Sequence, residues 1–580
     1  MSNHYKEAIL ITHPDDIELF KKNEPRVKIA CEYPIIETNK SINLEYFLED
    51  LVVGVNLRDI VGDLISNWYR DERGIDIISN TEVGIGAMLQ YRLSIIFSNS
   101  LRYYIGFVMS FRKYEKLLIS SNSPKDLLVS ASYFGEKIEF YNSENQYDDV
   151  ITSAPNRGQI VYPRIKKYFS YLARSLQKPI LNQLKNRVLI MNDWTYRDID
   201  NSECLNLNTF NFFRSFYLKE GRDYFDMAEK SFPQNLKKES VIENVDRIID
   251  KYDLNKSIRK DIKDLFCLIL NEIYLDEREM MKTIYCSTLE MFDYYSPAMV
   301  ITPGYAHPHY QAIYGIAKSR NIPRMFIIDG FPVTIDKNLF PMCKSNNEHM
   351  ISHFGVMGSD VKKLYKKALT IKDSDMIDIF PPILRKLDKK SSQNISNIVV
   401  LFPTAMPQSP YSHWDQRFKY VLDIIGLLNE MGEKKIKVKM KTGTIKGLDK
   451  QDNFLRNMLD ENDFNHVEIV GGEFSSCLDE AKYLIGQLSS SVVESIYSKK
   501  PYYIYEPHSM GMPDEMIDQC FINNRMISDN LSDLKEAIID EKYACFENKQ
   551  DFVNTSIEEL DYRRLISSYH SHQKNLNQTK

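Results

Sequence analysis

Ser489, Ser490 and Ser491 stand between an apolar run and a helix-patterned stretch that carries Glu494. Hydroxyls at a helix start lie beside unpaired backbone N–H groups and partial positive charge, a combination that cradles phosphate. The same residues also spell Ser491-Val492-Val493-Glu494, a capping box in which serine and glutamate satisfy the helix's own first amides. Sequence alone leaves both readings open. Further along the chain, Asp329-Gly330 closes an apolar run with a carboxylate suited to general-base work, although Asp-Gly is equally a turn. His307 and His309 flank Pro308 after another apolar run, where imidazoles serve as acid, base or hydroxyl ligand, or merely sit at the surface. His13-Pro14-Asp15-Asp16 follows the first apolar run of the chain.

These residues need strand ends to hold them. Tyr483–Leu488 reads as a buried strand, and Pro501 opens the next one, so the serine turn belongs to a strand, turn, helix, strand unit of a parallel α/β sheet. Strands at helix-sized intervals surround it, at 397–404, 434–440, 465–471, 481–489 and 501–507. This is the pattern of a Rossmann-like domain over 397–530, with final helices over 531–580. Its ligand edge is expected at the strands' carboxyl ends: Thr404, Lys441 to Thr444, Gly471-Gly472, the three serines and Glu506.

Upstream, short apolar runs at 8–12, 28–32 and 51–55 suggest an α/β start. Residues 127–131, 137–141 and 188–194 read as strands, and 164–184 as helical. Residues 201–295 are charged, almost free of glycine and helical in period, which marks a helical insertion or long flanking helices with solvated faces. Alternation resumes with strands at 297–302, 323–330 and 353–358 and helices at 308–321 and 359–369. Residues 371–396, with Pro381-Pro382 and a polar run, read as the linker after a first domain of 1–370.

Composition limits the partners. At 580 residues the chain is too long for one ordinary domain. With 43% hydrophobic and 27% charged residues it has the makeup of a soluble globular protein. A formal charge of −6 provides no field to recruit nucleic acid. No signal peptide and no run of about 18 apolar residues is visible, so a cytoplasmic protein is expected. The eight cysteines form no CxxC pair and read as reduced and structural.

Over 297–507 the chain resembles the GT-B glycosyltransferases of bacterial surface-polysaccharide synthesis, namely the polysialyltransferase and Kdo-transferase types of capsule and lipopolysaccharide, and the related teichoic-acid polymerases. The resemblance rests on Ile328-Asp329-Gly330, on Lys439 to Gly443, and on Ser489 to Glu494 followed by Lys500-Pro501. It implies an α/β, GT-B fold of two Rossmann-like domains. The donor, best matched by a CMP-activated ulosonic acid, would be held by Thr404, Lys441, Thr442, Gly443, Ser489, Ser490, Ser491 and Glu494. Asp329 would be the base of an inverting transfer, with His307 and His309 beside it. The family's His-Pro is missing from the strand ending in Lys439-Met440-Lys441, so Lys441 or the following amides would take over leaving-group charge.

The same resemblance implies no cofactor and no required metal, and a lipid-linked or oligosaccharide acceptor. It also implies peripheral attachment to the inner membrane, and it places His13, Asp15 and Asp16 on the acceptor side. His13 to Asp16 is itself similar to the metal-binding segment of zinc-dependent N-acetylglucosamine deacetylases, with His307-Pro308-His309 as a second element. That leaves a zinc N-deacetylase as an alternative, beside a CDP-glycerol or CDP-ribitol phosphotransferase and a non-catalytic glycan-binding scaffold.

Overall fold

A computed structural model describes most of residues 7–142, the strands 188–191 and 204–207, and residues 228–545 apart from loops, chiefly 328–343, 380–396, 404–415, 441–447 and 508–525. Near the C-terminus it describes Ile566, Ser567, Tyr569 and Ser571. The chain is α/β, and all three of its large sheets are parallel.

The first sheet holds β1 (Glu7–Ile11), β2 (Val27–Ala30), β3 (Leu44–Tyr46), β4 (Lys116–Ser120) and β5 (Ile138–Tyr141), in the order β3-β2-β1-β4-β5. Helices α1 (Leu57–Asn67), α2 (Ile85–Lys113) and α3 (Lys125–Ala131) accompany it. The residues of α3 had the look of a strand, but they form a helix. Pro124 at the N-cap and Asp126 in the first turn start it, and Leu127 and Ala131, four apart, bury one stripe. The run at 51–55 and the span 164–184 lie outside the described residues.

The second sheet is built from β6 (Val188–Met191), β7 (Cys204–Leu207), β8 (Met299–Thr302), β9 (Arg324–Phe326), β12 (His353–Val356) and β13 (Met376–Asp378). Between β9 and β12, β10 (Lys344–Ser345) and β11 (Glu348–His349) form a small antiparallel pair. The sheet order is β13-β12-β9-β8-β6-β7. Residues 201–295 are helical as expected over α4 (Glu239–Ile249) and the 40-residue α5 (Lys256–Tyr295), but their start supplies β7. The helices therefore belong to the crossover from β7 to β8. α5 begins where Asn255 Oδ1 accepts the Ile258 N–H at 2.9 Å. Helices α6 (Pro308–Ser319) and α7 (Ser359–Leu369) follow β8 and β12. The expected linker contributes β13, because Met376–Asp378 pair with Phe354–Val356 as the sheet's edge.

The third sheet contains β14 (Asn397–Leu401), β15 (Ile436–Lys439), β16 (Val467–Val470), β17 (Ala481–Gly486), β18 (Tyr502–Tyr505) and β19 (Ile527–Ser528), in the order β16-β15-β14-β17-β18-β19. Its helices are α8 (Gln416–Glu430), α9 (Leu448–Glu461), α10 (Phe474–Glu480), α11 (Ser490–Tyr497) and α12 (Leu531–Ile539). The second and third sheets are two successive Rossmann-like units, and the first sheet is a further α/β unit ahead of them.

Strand residues alternate between two faces, and the third sheet shows the result. Ile398, Val400, Val438, Tyr483, Ile485 and Tyr503 pack into one core. On the other face Val399, Leu484, Tyr502 and Ile504 join Val492 and Val493 of α11 in the largest core, which continues through the second sheet to α1 and α2.

Candidate functional site

The strand order of the third sheet reads 3-2-1-4-5-6 in chain sequence, so the direction of winding reverses between β14 and β17. Crossovers on either side of such a reversal lie on opposite faces and leave a crevice at the strands' carboxyl ends, where nucleotides bind in sheets of this kind. The serine turn sits there. β17 ends at Gly486, Gln487 and Leu488 lead out, and α11 starts at Ser490 with Ser489 as N-cap.

The capping box does not form. Ser489 occupies the N-cap position without a side-chain capping bond, which leaves Ser491 inside the helix and Glu494 beyond its first turn. Glu494 is 8% exposed, and its carboxyl has no hydrogen-bond or ionic partner among the described residues. Burial alone pushes its pKa up to about 7. Ser489, Ser490 and Ser491 remain half-buried. Ser495, one turn on, is fully buried and donates to the Ser491 carbonyl at 2.7 Å.

A second glutamate shapes the turn from beneath. Glu506, just past β18 and 3% exposed, accepts the Leu488 N–H at 2.5 Å and the Gln487 side-chain amide at 3.1 Å. Burial raises its pKa to about 7 while those two bonds pull it down. The Tyr502 hydroxyl donates to the Gln487 carbonyl at 2.7 Å. A Cβ on Gly486 would stand 2.4 Å from that hydroxyl and 3.0 Å from Leu401 Cδ1, so only glycine lets the strand end lie this close. The sequence pointed to Glu506 as part of the ligand edge; its role as the clamp of residues 487–488 depends on register between β17 and β18. Thr404, Lys441, Thr442 and Gly443 lie outside the described residues. Lys439, just ahead of them, is buried at the end of β15.

In the second sheet the reversal falls between β6 and β8. β8 ends at Thr302, whose hydroxyl donates to the Gly304 carbonyl at 3.1 Å, and Tyr314 donates to the same oxygen at 3.0 Å. His307 follows as the N-cap residue of α6, with Pro308 opening the helix. Its ring lies 4.5 Å from the Tyr91 ring and parallel to that of His309 at 5.4 Å. Burial, and then the neighbouring His307, hold the His309 pKa well below 6.5, so this imidazole is neutral at pH 7. Asp329 lies outside the described residues. Ile327, the last described residue after β9, donates its N–H to the Thr302 carbonyl at 3.0 Å.

The first sheet, ordered 3-2-1-4-5, reverses between β1 and β4. His13 follows β1 and its carbonyl accepts the Asp16 N–H at 3.0 Å. Asp16 is 1% exposed and accepts the Tyr141 hydroxyl at 3.0 Å, while Thr12 and Ser123 hydroxyls meet at 3.2 Å. Asp15 lies outside the described residues. Among the described residues no group of three or more His, Cys, Asp or Glu side chains is placed to hold a metal ion, and no helix is long and apolar enough to cross a membrane. Cys31, Cys267, Cys286, Cys477 and Cys545 are free thiols.

No family model matches the chain, and no curated protein matches it in sequence. Among solved structures it is similar to a UDP-GlcNAc 2-epimerase from Methanocaldococcus jannaschii in complex with UDP-GlcNAc and UDP, at 12% identity over 64% of this chain and 96% of that one, with a TM-score of 0.36. A UDP-GlcNAc 2-epimerase from Neisseria meningitidis bound to UDP-GlcNAc gives 11% identity over 67% and 100%, with a TM-score of 0.36. The wall teichoic acid polymerase TagF gives 11% over 71% and 99%, with a TM-score of 0.32.

Proposed function

We propose that this chain is a glycosyltransferase that takes its sugar from a nucleotide-activated donor bound where β14 and β17 diverge. The observation that carries the reading is Glu494. A carboxyl group buried without a protein partner costs stability unless something hydrogen-bonds to it, and the two vicinal hydroxyls of a ribose are donors of the right kind. The α11 amides and the Ser489 to Ser491 hydroxyls beside it suit the donor's phosphate.

In the reaction an acceptor hydroxyl oxygen attacks the anomeric carbon as the bond from that carbon to the phosphate oxygen breaks. Asp329 takes the hydroxyl proton, and the nucleotide leaves with the bonding electron pair and with inversion. The α11 amides, with Lys441 and the amides after it, stabilise the departing charge. His307 and His309 line the acceptor side, and His13, Asp15 and Asp16 hold a more distant part of a lipid-linked or oligosaccharide acceptor. Handling such an acceptor places the protein at the inner face of the membrane.

The donor assignment follows the sequence resemblance, which favours a CMP-activated ulosonic acid over a CDP-alditol. Thermal unfolding with CMP, CDP, UDP, GDP, TDP or Zn²⁺ tests both levels, because a ligand of the folded state raises the midpoint by mass action. A rise with CMP that disappears in Ser490→Ala is the expected result. A rise with CDP alone favours alditol phosphate transfer. If zinc alone raises the midpoint, the glycosyltransferase reading fails.

A further inference from the structure

Lys439 is a lysine that the fold buries with no counter-charge among the described residues. It is 7% exposed, and its ammonium donates to the carbonyl of Met440 at 2.5 Å. No carboxylate bonds to it among the described residues. The nearby acids are engaged elsewhere, since Lys437, two residues back on the same face, takes both Glu468 at 3.5 Å and Glu480 at 2.5 Å. The titratable neighbour of Lys439 is the Cys477 thiol of α10. An ammonium removed from water costs several kcal/mol when unpaired. Burial accordingly holds the Lys439 pKa below its ordinary value.

Its position gives this charge a direction. Lys439 is paired with Leu401, the last residue of β14, and so stands beside the strand at which the sheet reverses. Cys477 and Leu401 belong to the face that also packs Val492 and Val493 of α11, so Lys439 and the serine turn share one side of the sheet. The bond to Met440, the first residue past β15, brings the ammonium to the carboxyl edge.

We propose that Lys439 is an anion-binding residue of this crevice and that its ammonium takes a phosphate group of the donor nucleotide. The inference rests on the donor-site reading for the nucleotide but not for the anion. Lysine binds phosphate as a compact point charge, and here the phosphate supplies the counter-charge that the described residues do not. The sequence reading placed Lys439 at a strand end and gave the phosphate to Lys441 and the residues after it.

The test is calorimetric titration of the full chain and of Lys439→Met and Lys439→Arg with CDP, cytidine and inorganic diphosphate. The expected result is that Lys439→Met weakens CDP and diphosphate by roughly tenfold or more, leaves cytidine unchanged and does not lower the thermal midpoint, while Lys439→Arg stays within a few-fold of the parent. Diphosphate binding that depends on Lys439, without any response to nucleotides, upholds the anion site and overturns the nucleotide reading alone. Equal CDP and diphosphate affinity in the parent and Lys439→Met, or no binding of either by the parent, overturns the inference. So does a Lys439→Met protein that loses cytidine as much as CDP, since the lysine would then serve the fold.

Discussion

At the scale of single residues, Glu494 ties stability to function through its proton. Its pKa is about 7 in the folded chain against an ordinary 4.5. The folded state therefore binds the proton more tightly than the unfolded state. Between those two values stability falls as pH rises, and above pH 7 the full penalty applies, on the order of 3 kcal/mol. Glu494→Gln removes the ionisation. In denaturant titrations the variant is expected to match the parent near pH 4.5 and to exceed it by roughly 2–3 kcal/mol at pH 8. The same variant should bind nucleotide at least tenfold more weakly, because an amide is a poorer acceptor for ribose hydroxyls than a carboxylate. A variant no more stable than the parent at pH 8 would show that a partner already holds this carboxylate. Glu506 reaches a similar pKa although its two bonds pull against its burial. Glu506→Ala strands the buried Leu488 N–H and is expected to cost roughly 1–3 kcal/mol, measured by the same titration near pH 5, where the folded carboxyl is protonated and no ionisation penalty is relieved.

At the scale of elements, the β17 to α11 connection works because three neighbours converge on it. Tyr502 comes from β18 and Glu506 from just past it, and Gly486 ends β17. Gly486→Ala places a methyl group against the Tyr502 hydroxyl and Leu401, an overpacking expected to cost roughly 1–3 kcal/mol in denaturant unfolding. The shift also displaces the serine turn, so nucleotide affinity should fall even at temperatures where the variant remains folded. Unchanged stability would mean that Tyr502 swings aside without loss. The strand, the turn and the helix here were each legible from hydrophobic runs and from Pro501. The helix start was not, because three consecutive serines can each serve as cap, and packing of Val492 and Val493 into the core selected the phase.

At the scale of the whole molecule, the end of the chain returns to its middle. Tyr569 is 6% exposed, its hydroxyl lies 3.4 Å from Arg324 and from Asn321, and its ring packs near His353. Tyr569→Ala opens a cavity at this seam and is expected to destabilise by roughly 3 kcal/mol. Hydrogen exchange should locate the loss at residues 321–327 and 352–354 of the second sheet, rather than in the third sheet that precedes Tyr569 in sequence. Faster exchange confined to residues near 569 would show that the seam carries little energy.

The sequence alone determined the elements whose signal is local. Alternation and apolar runs placed β6, β8, β9 and β12 of the second sheet and β14 to β18 of the third, and Asp360 with the terminal lysines framed the helix over 359–369. Charge and periodicity likewise marked the helices between 239 and 295. Tertiary structure decided everything that depends on neighbours distant in the chain. Strand order is one case, since no local pattern states that β14 lies between β15 and β17, and that order creates the crevice. The strand at 376–378 is another, because three residues in a polar stretch become a strand only when β12 offers an edge to pair with. So is the burial of Glu494 and Lys439 with no opposite charge bonded to either among the described residues, which long-range packing imposes on a residue that the sequence also reads as part of a cap and on another at a strand end.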